Sequence, residues 1–396
     1  MLDDRIVSAG PGLMRAINRT LILDLLRREG SLSRSGLAVR SGLSLPAVSR
    51  GVAELIGDGW VTEVGAGSSS GGRRPILLQL NPKAGHIVAA DVTPSRILGA
   101  VADLAGDLVV TKTEAPLSLG LPLLDQVAEM LTWLKQAGKE AEAQGYGPSI
   151  GVGLSVPGIP DRSGSHVSLA PALDWSDVAV GAALLERFDS QVLVQNDVDA
   201  LLLGEQWRGA AAGVKHAVAL YVGAGVGAAA LLDGQVYRGR DGAVGEVGFW
   251  LTDPAQKSHP SGFGLLESQI STVSLTRRWA AQVGWKPQGR ADVLTALAQQ
   301  ASAGDSDTLK LITETARLIG MVVVNLVALL NPEVVILGGE VLKLGDHVLP
   351  VLNQMVADHT PFPAKVVPAA LGDRSALIGA VSGVIRHRRS SVTYVG

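Results

Sequence analysis

The chain has 396 residues, 47% of them hydrophobic and 18% charged, with a formal net charge of −3, which is enough apolar material for two or three cores at roughly 100–200 residues each. There is no cysteine, which excludes disulfides, thiol catalysis and cysteine-ligated zinc and leaves any metal to His, Asp and Glu. The opening Met1-Leu2-Asp3-Asp4-Arg5 has neither a basic nor an apolar run, and the longest apolar stretch, Leu318 to Leu330, has 13 residues and contains Asn325; a bilayer needs about 20, so the expectation is a cytoplasmic chain with no membrane segment.

The charge is uneven. Residues 1–80 hold ten Arg, no Lys and seven Asp or Glu, a local +3 that leaves −6 for the rest. Arginine suits bidentate contacts to phosphate and guanine. From Arg15 to Arg28, Ile17, Leu21, Ile22, Leu25 and Leu26 recur at helical spacing and stop before Gly30, predicting an amphipathic first helix. Ser33 caps a second helix through Leu37 and Val39 that ends at Gly42, where positive φ allows a tight turn. Ser44 caps a third, with Pro46 in its first turn and Val48, Val52, Leu55 and Ile56 on one face, up to Gly57. A strand from Trp60 to Val64, a Gly/Ser loop ending in Gly71-Gly72-Arg73-Arg74-Pro75 and a strand from Ile76 to Leu80 follow, so two short helices about a glycine turn are backed by a hairpin with a basic tip. That is the pattern of a winged helix-turn-helix, with Ser44, Pro46, Ala47, Ser49 and Arg50 facing the major groove and Arg73 and Arg74 reaching a minor groove. A small helical dimerisation unit shares the spacing but does not call for the basic wing.

Asn81-Pro82 marks a boundary between residues 1–81 and 82–396. Beyond it strand-like runs alternate with helical ones: His86–Val92, Ile97–Leu104, Leu108–Glu114, a helix over Leu123–Ala143, Ile150–Val156, Val192–Gln195, Ala217–Val222 and Val334–Leu337. The alternation predicts an α/β region of two lobes, about 82–200 with the C-terminal helix and about 201–370, with a cleft between them. Three segments there carry candidate chemistry. Gly223, Gly225 and Gly227 follow an apolar strand, where backbone N–H groups can approach an anion or simply turn a hairpin. Asn196-Asp197 ends another strand, placed either to orient and deprotonate a hydroxyl or to make a turn. Glu246 lies in a Gly-rich loop, and Glu267 follows Gly264.

The run Val222-Gly-Ala-Gly-Val-Gly, continuing to Gly239 and through Asp241-Gly-Ala-Val-Gly-Glu-Val-Gly248, is similar in order and spacing to the signature of the ROK family of repressors, open reading frames and sugar kinases. Asn18-Arg19, Gly42-Leu43-Ser44, Val48-Ser49 and Gly72-Arg73-Arg74-Pro75 resemble the winged helix of its repressors. The resemblance implies a two-lobed actin-like, hexokinase-like α/β domain preceded by a winged helix-turn-helix. It implies a sugar site made by Asn196, Asp197, Glu246, Glu267, Pro157 and Gly158, with Asp197 where kinases keep their catalytic base, and by the loop Ala170 to Trp175; Leu337-Gly338-Gly339 resembles the family's adenosine-side turn, apart from that sugar site.

Two positions depart from the family pattern. Kinases follow their first-strand Asp with Gly-Gly-Thr; here Asp91 precedes Val92-Thr93-Pro94-Ser95, and Pro94 has no N–H for a phosphate. Gly223, Gly225 and Gly227 then become a vestigial phosphate loop. Phe249, Ser258, Pro260 and Leu265 occupy the positions of the family's zinc ligands, so no metal or other cofactor is expected. The resulting expectation is a repressor rather than an enzyme, with double-stranded operator DNA and a monosaccharide or sugar derivative as partners, assembled as a homodimer or homotetramer. The alternatives are a kinase that also binds DNA and a sensor read by a partner protein.

Overall fold

Short polar caps set the second and third helices. In the computed structural model, which describes residues 11–66, 74–114, 122–161, 163–187, 192–252, 255, 264–284 and 293–394, the chain opens with α1 (Pro11–Glu29), β1 (Leu32–Ser33), α2 (Arg34–Ser41) and α3 (Leu45–Gly57). Ser33 Oγ accepts from Gly36 N at 3.0 Å and Ser44 Oγ from Ala47 N at 3.4 Å, which satisfies first-turn donors that the helices cannot. Gly42 closes α2 at φ 70°. β2 (Val61–Ala66) and β3 (Ile76–Leu80) complete a sheet of order β1-β3-β2. The predicted apolar faces meet: Ile22, Leu26, Leu37, Val48, Val52, Leu55 and Leu78 are buried together.

That core does not stop at Asn81. It runs on through Ile87 and Ala89 of β4 (His86–Val92), Leu98 and Ala100 of β5 (Ile97–Asp103), and Leu377 and Val381 near the C-terminus. The winged unit is therefore seated on one face of the next sheet. The other face of these strands, Val88, Ala90, Val92, Ile97 and Val101, packs on a separate core with Leu131 and Leu134, the period-two alternation of a sheet covered on both sides.

The first lobe adds β6 (Leu108–Glu114), α4 (Leu123–Ala143), β7 (Ser149–Val156), a small sheet of β8 (Ile159–Pro160), β9 (Val167–Ala170) and β10 (Trp175–Val178), then α5 (Val180–Arg187) and β11 (Val192–Asn196). Its main sheet has the order β11-β7-β4-β5-β6. After α6 (Asp197–Arg208), the second lobe contains β12 (Ala217–Val222), β13 (Val226–Leu232), β14 (Gln235–Tyr237), α7 (Glu267–Ile270), α8 (Thr272–Val283), α9 (Val293–Ser302), α10 (Ser306–Leu330), β15 (Val334–Gly338), α11 (Gly345–His359) and β16 (Lys365–Pro368), before α12 (Ser375–Tyr394). The second sheet, β14-β13-β12-β15-β16, repeats the topology of the first: an antiparallel meander followed by two parallel strands. The apolar stretch within α10 is a core element, with Ile319, Val322, Val323 and Val327 buried.

α6 joins the lobes and packs along α12. The two backbones approach so closely that a Cβ on Gly204 would lie 2.1 Å from Ser375 O, and one on Gly379 only 1.7 Å from Ala200 O. Glu205, fully buried, accepts from Ala210 N, Ala370 N, Leu371 N and Ser375 Oγ at 2.7–3.0 Å, so its charge is answered by four donors.

Candidate ligand cleft and nucleic-acid interface

β11 ends and α6 begins at Asn196-Asp197, which places both side chains between the lobes. Asn196 is the N-cap of α6: its Oδ1 accepts from Val198 N and Asp199 N, both at 2.9 Å, while its Nδ2 donates to Gly158 O at 2.8 Å. The amide read from sequence as a ligand group thus fixes the Pro157-Gly158 loop to the start of the helix. Asp197 points into a cavity of about 100 Å³ whose walls also include Pro94, Pro157, Gly158, Tyr221, Gly225, Glu246, Phe249 and Glu267. At roughly 10–15 Å³ for a single water, the space accepts a ligand of several polar groups.

Glu246 is presented by a loop that only glycine can build. Gly245 has φ 91°, and a Cβ there would lie 1.7 Å from Ala228 O. Gly245 O in turn accepts from Ala228 N at 2.7 Å, tying the loop to β13. Glu267, at the start of α7, accepts from Val226 N at 2.9 Å and Gly264 N at 3.4 Å. Behind Asp197 lies Asp91, buried on β4 with its Oδ1 unpartnered among the described residues.

Gathering these acids perturbs each of them. Burial, then the charges of Asp91 and Glu246, push Asp197 up to about 8. Burial and the neighbouring Glu267 push Glu246 up to about 7. Burial raises Asp91 to about 6. It also raises Glu267, against the pull of its two N–H donors. Among the described residues lining the cavity none is basic. Such a pocket repels anions and offers acceptors, or a proton, to a neutral ligand rich in hydroxyls.

The turns around the cleft offer an anion little. At the β4–β5 turn, Thr93 N donates to Arg96 O at 2.9 Å and Arg96 N to Thr93 Oγ1 at 3.1 Å, so two N–H groups are consumed internally, and Pro94 has none. Gly223 and Gly225 close the β12–β13 hairpin, where Val222 pairs with Val226 and Gly223 N donates to Gly225 O at 2.9 Å, and Gly227 lies in β13 opposite Tyr221.

On the winged unit, Val48, Val52 and Leu55 face the core while Ser44, Pro46 and Arg50 are exposed and Ala47 and Ser49 partly so. Arg74 is exposed at the foot of β3; Gly71, Gly72 and Arg73 lie outside the described residues. The surplus of arginine read from composition is largely spoken for: Arg15 and Arg19 pair with Glu54, Arg27 and Arg28 with Asp24, Arg34 with Glu63 and Arg40 with Glu29. Arg50 has no such pairing among the described residues, so its position on the third helix, rather than the local net charge, singles it out.

The family model described as the ROK family matches residues 122–386, and that of a winged helix-turn-helix DNA-binding domain matches residues 16–62. The chain belongs to the ROK family. It is 29% identical to the xylose repressor of Caldicellulosiruptor bescii over 96% of this chain and 98% of that one. The fold is that of a ROK family transcriptional regulator, a homologue of the Escherichia coli MLC protein (TM-score 0.80, 21% identity, 96% and 98% of the two chains). It is also that of a ROK family glucokinase from Streptomyces griseus in complex with glucose and AMPPNP, which covers 75% of this chain and 98% of its own (TM-score 0.63, 24% identity).

Within this ROK chain, Phe249 stands 45% exposed at the cavity rim and Leu265 is buried; Ser258 and Pro260 lie outside the described residues. An aromatic rim and a buried leucine supply no metal ligand at those two positions. One cavity residue, Tyr221, and one carboxylate behind the cavity, Asp91, were not named as ligand residues from sequence. Tyr221 shows no motif of its own. Asp91 was read only as the residue before a missing phosphate loop, although a carboxylate closing a strand otherwise made of apolar residues and one histidine is itself a signal.

Proposed function

We propose that this ROK protein is a cytoplasmic transcriptional repressor, a homodimer or homotetramer that reads operator DNA through Ser44, Pro46, Ala47, Ser49, Arg50, Arg73 and Arg74. In this reading its cleft binds a neutral monosaccharide or sugar derivative through Asp197, Glu246 and Glu267, with Asn196, Pro157 and Gly158 positioning that wall. The observation that carries the reading is the cleft itself: three carboxylates, Asp197, Glu246 and Glu267, converge on a small cavity while the adjoining β4–β5 turn spends its N–H groups on itself. The acids favour a ligand made of hydroxyls, and the closed turn disfavours a nucleotide phosphate. Full-length similarity to a xylose repressor, together with the winged helix-turn-helix match over residues 16–62, supports the DNA-binding half.

Thermal-shift titration against a panel of pentoses, hexoses and amino sugars, xylose among them, tests the sensor half. A ligand at 100 times its dissociation constant adds about 2.7 kcal/mol. Coupled ADP-release assays with the same panel are expected to stay at background, and steady turnover abolished by Asp197→Asn would replace the repressor-only reading with that of a DNA-binding kinase.

A further inference from the structure

A second cavity, of about 1400 Å³, lies where α1 of the winged unit meets β11, α6, α12 and the segment after β14. Its chemistry is opposite to that of the cleft. Arg27 and Arg28 end α1, Arg386 comes from α12 and Arg238 from beyond β14. Arg27 is the buried centre: its side chain is only 9% exposed, its guanidinium stands 5.5 Å over the ring of Trp207, and its Nε and Nη1 have no hydrogen-bond partner among the described residues. Gln195, 4% exposed on β11, likewise leaves Nε2 without an acceptor. Buried donors left unanswered are costly and uncommon.

Among the described residues the counter-charges are Asp24 and Asp199. Asp24 serves both Arg27, at 3.8 Å, and Arg28, at 3.7 Å, and Asp199 holds Arg238 at 2.8 Å. Arg386 donates to Gln206 Oε1 at 2.7 Å. Burial, followed by the charges of Arg27, Arg28 and Arg238, pulls Arg386 down to about 10, and burial with Arg28 does the same to Arg27. Of the other charged groups on the walls, Arg208 is paired with Asp107, Asp161 is turned onto its own Ser163-Ser165 loop, and Asp233 lies beside His216. Lys215 and His387 add further basic groups.

We propose that this cavity is a second ligand site, for a small molecule bearing a phosphate group, held by the unpartnered nitrogens of Arg27 and Gln195 together with Arg386. A phosphate supplies charged oxygen acceptors, and its several oxygens can serve donors from Arg27, Gln195 and Arg386 at once. The depth of Arg27 beneath Trp207 suits a small anion rather than the backbone of a DNA duplex. Because Arg27 belongs to the helix that packs on α3, and Gln195 and Arg386 belong to the first lobe, the bound anion ties the DNA-reading unit to the sensor body at their seam.

Inorganic phosphate is the probe. Titrated into the full-length protein, it should give a saturable rise in Tm that chloride at equal ionic strength does not, with the apparent Kd from calorimetry weakened at least tenfold in Arg27→Met and in Arg386→Gln. Should Arg27→Met fail to fold, Arg28→Gln takes its place, since that side chain is 66% exposed; it too should weaken phosphate. A rise in Tm matched by chloride, or an unchanged Kd in Arg386→Gln together with its folded companion, overturns the proposal.

Discussion

The cleft that collects Asp197, Glu246 and Glu267 and the cavity that collects Arg27, Arg28, Arg238 and Arg386 both draw on α6, the first through Asp197 and the second through Asp199, Gln206 and Trp207. In each, groups of one sign are brought together in buried surroundings, which shifts their ionisation. Glu205, a few residues along the same helix, shows the contrast: it is just as buried, but four donors answer it. A buried charge with partners is scaffold. A buried charge without them is a candidate site, and its sign tells which ligand chemistry completes it.

The harshest way to break the comparison is to move the helix that both sites share. Gly379→Ala places a methyl group against Ala200 O, and overpacking of this kind is expected to cost about 3 kcal/mol. Denaturant unfolding should show the loss, and both sugar and phosphate responses should weaken together. Next in size is Arg50→Ala, which leaves both cavities intact and should weaken operator binding by about 1–3 kcal/mol, read by a salt series of DNA titrations.

A smaller effect separates the two cavities by pH. Asp197, at about 8 in the folded chain, lies above the ordinary carboxylate value of about 3.9, so the folded state holds the extra proton between those limits. Stability of the unliganded protein therefore falls as pH rises from about 4 to 8, with Glu246 and Asp91 adding to the slope. Asp197→Asn should be about 1–2 kcal/mol more stable than the parent at pH 8 and no more stable at pH 4. The stability difference for Arg386→Gln should stay flat from pH 5 to 8, because Arg386 titrates near 10. Least of all, Glu63→Gln, which removes an exposed ion pair with Arg34, should change stability by less than about 0.5 kcal/mol.

What could be read from sequence was local. Ser33, Gly42, Ser44 and Pro46 announce helix ends through their own side chains, and the strands from His86 to Val92 and Ala217 to Val222 through apolar runs, so these elements fall where expected. The small sheet β8-β9-β10 escaped notice because its strands have two to four residues, one of them a proline, too short for any period to show. Asn196 and Asp197 are adjacent and both line the cavity, yet only Asn196 also spends its amide on capping the helix and holding the neighbouring loop. That division depends on Gly158, 38 positions away. The arginine cavity was illegible for the same reason: Arg27 and Arg386 sit near opposite ends of the chain, and only the seating of the winged unit on the first sheet brings them together.

In the proposed function the acidic cleft senses a sugar and passes the result to the DNA-reading helix. Its most direct test is titration of operator DNA into the parent protein and Glu246→Gln, each with and without the sugar that scores in the thermal-shift panel. Typical allosteric coupling of about 1–3 kcal/mol predicts a 5- to 150-fold change in operator affinity for the parent, and for Glu246→Gln the same affinity without sugar and no change on adding it. An undiminished sugar effect in Glu246→Gln would place the sensor outside this cleft.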